Sequence, residues 1–141
     1  MKIMMLTAGE GTRLRPHTSV LPKPAISFLN VPLFLHALRF LEEVNPTQVV
    51  FNTFHLPQRL KTVVKEYTYP FDYQFSDEQV LLGSGGGLGK ARKFFQQEDT
   101  FILMNGDELI LPELSGQLRK ALDFHRSQKN IATLLVTENS E

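Results

Sequence analysis

An α/β fold, with a mostly parallel sheet covered by helices on both faces, is predicted by three features of this sequence. Short apolar runs alternate with stretches of helical period along the chain, and the connections between them are short. The most unusual stretches, 7–24, 76–89 and 105–109, each follow directly on an apolar run, which is where open parallel sheets gather their ligands. The 141 residues are 42% hydrophobic and 21% charged, which suits one domain with a real core.

Lys2 to Leu6 is a short apolar run ending at a Gly-rich turn, as a buried strand does. Pro32 to Glu43 sets Leu35, Leu38 and Leu41 at helical spacing, with Pro32 suited to the first turn. Gln48 to Phe51 reads as a strand, and Leu56 to Tyr67 as a helix with a basic outer face. Phe71 to Phe75 alternates aromatic and polar residues in strand fashion. Leu88 to Phe95 is predicted helical, Thr100 to Met104 strand, Glu113 to Ser127 a longer helix and Ile131 to Val136 a last strand. No internal repeat or linker divides the chain, so 1–141 reads as a single domain.

Fifteen basic and fifteen acidic residues cancel to a net charge of zero. Such a chain offers no broad field for nucleic acid or an anionic membrane, so neither is expected as a partner and any anion site must be local. The absence of cysteine excludes disulfides and thiolate metal sites. The N-terminal apolar run stops too soon for a secretory leader, and none approaches the roughly 20 residues of a membrane span. A soluble, cytoplasmic domain is expected.

The stretch Thr7 to Arg13 follows the first strand at once. Gly9 and Gly11, one residue apart, let the backbone turn tightly and bring N–H groups to an anion. Arg13 adds a permanently charged fork suited to phosphate oxygens. No Gly-Lys-Ser/Thr follows, which excludes the P-loop. A third glycine and a following helix are missing, which excludes the dinucleotide fingerprint. Instead Lys23 stands between Pro22 and Pro24, which bias it to extended geometry and aim its stem. The lone histidines, His17, His36, His55 and His125, suggest surface or packing positions.

The run L-T-A-G-E-G-T-R-L-R-P-H-T from Leu6 to Thr18, followed by L-P-K-P from Leu21, resembles the signature of sugar-1-phosphate nucleotidylyltransferases. Thr7 replaces the usual Ala, and His17 an apolar residue. The resemblance implies a three-layer α/β/α, Rossmann-like fold of the nucleotide-diphospho-sugar transferase type. It implies that Leu6, Ala8, Gly9, Gly11 and Thr12 hold a nucleoside triphosphate, that Arg13 balances charge on the departing pyrophosphate, and that Lys23 binds the phosphate at the reacting centre.

Gly83 to Gly89 holds five glycines in seven positions, more than a helix start requires, which suggests a surface where a base or sugar meets the backbone. It resembles the family's L-G-T-A/G-G-G-L segment, placing Gly83 and Ser84 by the nucleobase and Gly86 and Gly87 toward the sugar. Glu78 falls where the family often reads the base, and its carboxylate can accept the N–H of uracil, thymine or guanine. Asn105-Gly106-Asp107 follows an apolar strand. A carboxylate there can meet Mg²⁺ bridging a triphosphate. The segment resembles the family's Gly-Asp motif, with Asp107 as metal ligand and Asn105 on the sugar side.

The implied reaction is attack by a sugar-1-phosphate oxygen on the α-phosphorus of a nucleoside triphosphate, giving an NDP-sugar and pyrophosphate. The Ser-Gly-Gly-Gly and Asn-Gly-Asp variants look closest to N-acetylmuramate-1-phosphate uridylyltransferases and mannose-1-phosphate guanylyltransferases, which sets UTP ahead of GTP. Family domains continue past a strand like Ile131 to Val136 and there supply sugar-binding residues and a second metal-binding aspartate. Nothing after Val136 matches either, so the C-terminal part of the domain is expected to be missing. Three readings stay open: an enzyme needing further chain, a non-catalytic nucleotide-binding or regulatory module, and an assembly protein that pairs with a second copy.

Overall fold

The computed structural model describes residues 1–110 and 116–136. In chain order it forms β1 (Lys2–Leu6), the small hairpin β2 (Ser27–Phe28) and β3 (Val31–Pro32), and then α1 (Leu33–Leu41). There follow β4 (Gln48–Thr53), α2 (Pro57–Lys65), β5 (Asp72–Asp77), α3 (Gly83–Ala91), β6 (Phe101–Asn105) and α4 (Gln117–Gln128). The main sheet has the order β5-β4-β1-β6 with every pairing parallel, so the carboxyl ends of all four strands share one edge.

The run Ile3-Met4-Met5 is apolar without alternation because β1 is central and buried on both faces. On one face Ile3, Met5, Val49, Phe51 and Met104 pack with Phe34, Leu41, Leu60, Val64 and Leu118 from α1, α2 and α4. On the other, Met4 and Val50 meet Ala91 and Phe95, from the end of α3 and the turn after it. The result is the expected α/β/α layering. In α1 the buried residues Phe34, Ala37, Leu38 and Leu41 recur at helical spacing, and Phe34 meets Phe51 edge-on at 5.9 Å. Each such large side chain, once buried, contributes about 1.5–3 kcal/mol. The α3 face is thinner, and Leu103 on β6 stays 44% exposed.

Two expected elements differ. Helix α3 begins at Gly83 rather than Leu88, so the glycine segment is helix and not loop. Each glycine costs about 0.5–1 kcal/mol against alanine in a helix. The helix forms nonetheless, because its start is tied to β5 and its buried side packs closely on β4. Ile131 to Val136 is not a strand: among the described residues it joins no strand ladder, and Ile131 is fully exposed. The residue types favour a strand, but the sheet ends at β6 among the described residues, and without a ladder partner the backbone stays irregular. Of the expected helix from Glu113 to Ser127, positions 113–115 lie outside the described residues, and α4 accounts for the rest. Its first turn is fastened by Glu43, whose carboxylate accepts the N–H groups of Gly116 and Arg119 at 2.6 and 3.2 Å.

Candidate functional site

The carboxyl ends of β1, β4 and β6 and the start of α3 enclose an open cleft of about 550 Å³. Its first wall is the loop after β1, with Ala8, Gly9, Gly11 and Arg13. Gly11 has φ +61°, a left-handed conformation that glycine adopts without penalty, and a Cβ there would stand 2.9 Å from Thr18 Cγ2 and 3.1 Å from Lys23 Cβ. The turn is held from both sides. Thr18 Oγ1 donates to Gly11 O at 2.9 Å, and Thr18 O lies 2.6 Å from His55 Nε2. A carbonyl only accepts, so the imidazole proton sits on Nε2. His55, given no role in the sequence, is thus a clamp on this loop.

Lys23 reaches the cleft from a single 3₁₀ turn, Lys23–Ala25, rather than from the extended segment expected of Pro-Lys-Pro. Pro22 is extended, with ψ 144°, but its carbonyl accepts the N–H of Ala25 and closes the turn. Lys23 Nζ forms an ion pair with an Asp107 carboxylate oxygen across the cleft. Arg13 is exposed and, among the described residues, makes no ion pair. At the third strand end the Asn105 side chain donates to Glu108 at 2.6 Å. Gly106 N donates to Leu6 O at 2.9 Å, which carries the β1–β6 pairing to the residue before Asp107.

The structure therefore gathers Leu6, Ala8, Gly9, Gly11, Arg13, Lys23, Gly83, Ser84, Asn105 and Asp107 around one space. Thr12, Glu78, Gly86 and Gly87 do not line it. Thr12 opens a 3₁₀ turn facing solvent, and Gly86 is exposed on α3. The placement expected of Glu78 by the base is corrected: it is only 8% exposed, and both carboxylate oxygens are engaged. One accepts Asn52 Nδ2 at 2.7 Å and the other Leu82 N–H at 3.0 Å. Gly87 is corrected with it. A Cβ there would stand 2.7 Å from Glu78 Oε1 and 2.8 Å from Asn52 Nδ2, so this glycine admits the buried pair rather than a sugar.

Thr7, Leu14, Pro24, Asn52 and Leu81 complete the lining and were not among the candidates. Leu81 carried a signal, as an apolar residue before a glycine segment. Asn52 carried another, as an amide directly after the apolar run Val49 to Phe51.

Mg²⁺ keeps several waters and takes one or two carboxylates plus substrate phosphates. Asp107 fits that demand. Among the described residues no group of three or more acidic, His or Cys side chains would cage a metal by itself.

Comparison with known proteins identifies the family and the fold. The family model for nucleotidyl transferases matches residues 2–141. The mannose-1-phosphate guanyltransferase of Debaryomyces hansenii is 33% identical over all of this chain, which covers 39% of that protein. The UTP–glucose-1-phosphate uridylyltransferase of Synechocystis is 34% identical over 96% of this chain, covering 37% of that protein. The chain thus spans about two fifths of such relatives. Among solved structures, a UDP-glucose pyrophosphorylase complexed with UDP-glucose superposes with TM-score 0.76 at 16% identity, over 91% of this chain and 54% of that one. HddC from Yersinia pseudotuberculosis, complexed with GMP-PN, gives TM-score 0.70 at 24% identity, over 86% and 54%. At those identities the likeness is one of fold.

Proposed function

The chain belongs to the nucleotidyl transferase family, and from that premise we propose that it forms the nucleotide-binding part of a sugar-1-phosphate nucleotidylyltransferase. One observation carries the reading: Arg13 and Lys23, from the connection after β1, and Asp107, from the end of β6, come to one cleft at the carboxyl edge of a parallel sheet. A neutral chain that concentrates two cations and one carboxylate there is equipped for a polyphosphate and its metal.

In the proposed reaction a phosphate oxygen of the sugar-1-phosphate attacks the α-phosphorus, and the bond to pyrophosphate breaks. The nucleophile is already an anion, so no general base is required. Alignment and charge compensation carry the acceleration. Arg13 faces the β- and γ-phosphates beside the Gly9 and Gly11 backbone. Lys23, paired with Asp107 in this structure, would bind the reacting phosphate, and Asp107 would be the residue that holds the metal. Mg²⁺ held there would offset the triphosphate's charge and ease departure of pyrophosphate. Gly83 and Ser84 present the opposite wall to the nucleoside. UTP and GTP are the candidate nucleotides. Sugar selection and turnover are assigned to the whole protein, of which relatives contain more than this chain.

Calorimetry with Mg²⁺ and either UTP or GTP tests the reading. Binding is expected, with affinity reduced at least tenfold by Arg13→Ala or Asp107→Ala and the fold unchanged by circular dichroism. Absence of binding to UTP, GTP, dTTP and ATP at millimolar concentration would overturn it. Unaltered affinity in both variants would overturn the assignment of the residues.

A further inference from the structure

The two long walls of the cleft are joined along its floor by one short chain of hydrogen bonds. Thr7 N–H donates to Asn52 Oδ1 at 2.7 Å, Asn52 Nδ2 donates to Glu78 Oε1 at 2.7 Å, and Leu82 N–H donates to Glu78 Oε2 at 3.0 Å. Thr7 immediately precedes Ala8 and Gly9 of the phosphate wall, and Leu82 immediately precedes Gly83 and Ser84 of the facing wall. Two backbone carbonyls of β4 brace the link: Asn52 O accepts the Thr7 hydroxyl at 2.5 Å, and Thr53 O accepts Glu78 N–H at 2.8 Å.

The energetics are unusual for mere packing. Asn52 is 3% and Glu78 8% exposed, and among the described residues Glu78 has no cationic partner. A buried carboxylate held only by amide donors is costly, whereas an apolar pair of similar size could fill the space. Helix α3 also accepts glycine at position 87, since any side chain there would press on both members of the pair. A two-acceptor anion between an amide and a helix start gives what an apolar pair would lack, a directional link of fixed length.

We propose that Asn52 and Glu78 are positioning residues that set the width of the cleft, holding the phosphate loop in register with the nucleoside-facing start of α3. The proposal rests on reading the cleft as a nucleotide site. The donor pattern supplies its test. In Asn52→Asp two carboxylate oxygens confront each other. In Glu78→Gln a single amide oxygen must serve two donors. In the double exchange every bond returns with the central one reversed: the amide at 78 donates to the carboxylate at 52, its oxygen accepts Leu82 N–H, and the other oxygen at 52 accepts Thr7 N–H.

Two readouts are taken on all four proteins, Mg²⁺-dependent affinity for UTP and GTP, and hydrogen exchange of the Thr7 and Leu82 amides without ligand. Each single variant is expected to lose about tenfold in affinity and to exchange both amides faster, and the double exchange to return within about threefold of the parent. Losses that simply multiply in the double variant overturn the proposal. So do single variants whose amides are exposed but whose affinity is unchanged. If the parent binds no triphosphate, the nucleotide reading falls alone. The amide-exchange cycle then still decides whether the pair joins the walls. Should the single variants fail to fold, a folded double exchange with protected amides supports the link, and an unfolded one overturns it.

Discussion

Gly106→Ala measures how tightly the metal-side strand end is fitted to the phosphate loop. A Cβ at position 106 would lie 2.5 Å from Thr7 Cγ2, 3.2 Å from Met5 Cγ and 3.3 Å from Leu6 O. Thr7 cannot swing away cheaply, because its hydroxyl donates to Asn52 O at 2.5 Å and its N–H to Asn52 Oδ1 at 2.7 Å. Ordinary van der Waals separation requires the strand end to move by about 1 Å, and overpacking of that kind costs about 1–3 kcal/mol. Taking about 2 kcal/mol, the melting temperature should fall by about 8 °C for a chain of this size. Asp107 moves with the strand end, so Mg²⁺-dependent triphosphate affinity should fall as well. Thr7→Ser removes the obstructing methyl and keeps the hydroxyl, at about 1 kcal/mol for the lost buried group. If the two changes act separately, the double variant loses about 3 kcal/mol; if the methyl is the obstacle, it loses only about 1. Denaturant titration of the four proteins separates these cases. An additive double variant, or a Gly106→Ala protein within about 0.5 kcal/mol of the parent, would refute the steric argument.

Two further outcomes follow from single positions. Gly11→Ala places a Cβ 2.9 Å from Thr18 Cγ2 and 3.1 Å from Lys23 Cβ at φ +61°, so calorimetry should show triphosphate affinity reduced about tenfold, with little change in the core-dominated denaturation slope. Asp77 has its pKa lowered below 3.8, first by the hydrogen bond from Lys61 and then by that from Thr53. A depressed folded pKa contributes stability that is present above the ordinary carboxylate range and lost as pH falls through the folded value. Asp77→Asn should therefore destabilise by less than about 1 kcal/mol at pH 7, since the carboxylate is largely exposed, and the gap to the parent should close as denaturation is repeated at pH values falling below the ordinary carboxylate range. A gap independent of pH would assign the effect to packing.

The parallel sheet was legible because each central strand is buried on both faces and so reads as an uninterrupted apolar run. Where burial is one-sided or the neighbour is remote, the reading failed in opposite directions. Gly83 to Gly89 reads as loop by propensity, yet it is helix because Glu78 holds Leu82 N–H and the helix lies directly against Asn52. Ile131 to Val136 reads as strand by propensity, yet among the described residues it has no ladder to join. In both places local preference was outweighed by a partner's presence or absence elsewhere, which residue-by-residue preference does not encode.

The same distinction divides the site. Arg13, Lys23 and Asp107 could be singled out from local sequence, because each sits in a compact motif of turn, proline or strand end. Glu78 could be named but not placed. Its partner Asn52 lies 26 residues away on β4 and is brought close by the parallel register in which Asn52 faces Ser76 and Thr53 faces Asp77. A shift of that register by one residue would turn Asn52 to the opposite face of the sheet and leave the Glu78 carboxylate buried without its amide. Losing a donor to a buried carboxylate costs at least about 1–3 kcal/mol, so the pair discriminates against that misalignment. The bonds that hold the cleft open thus also help fix strand register, and a buried amide following the apolar run of β4 couples the two.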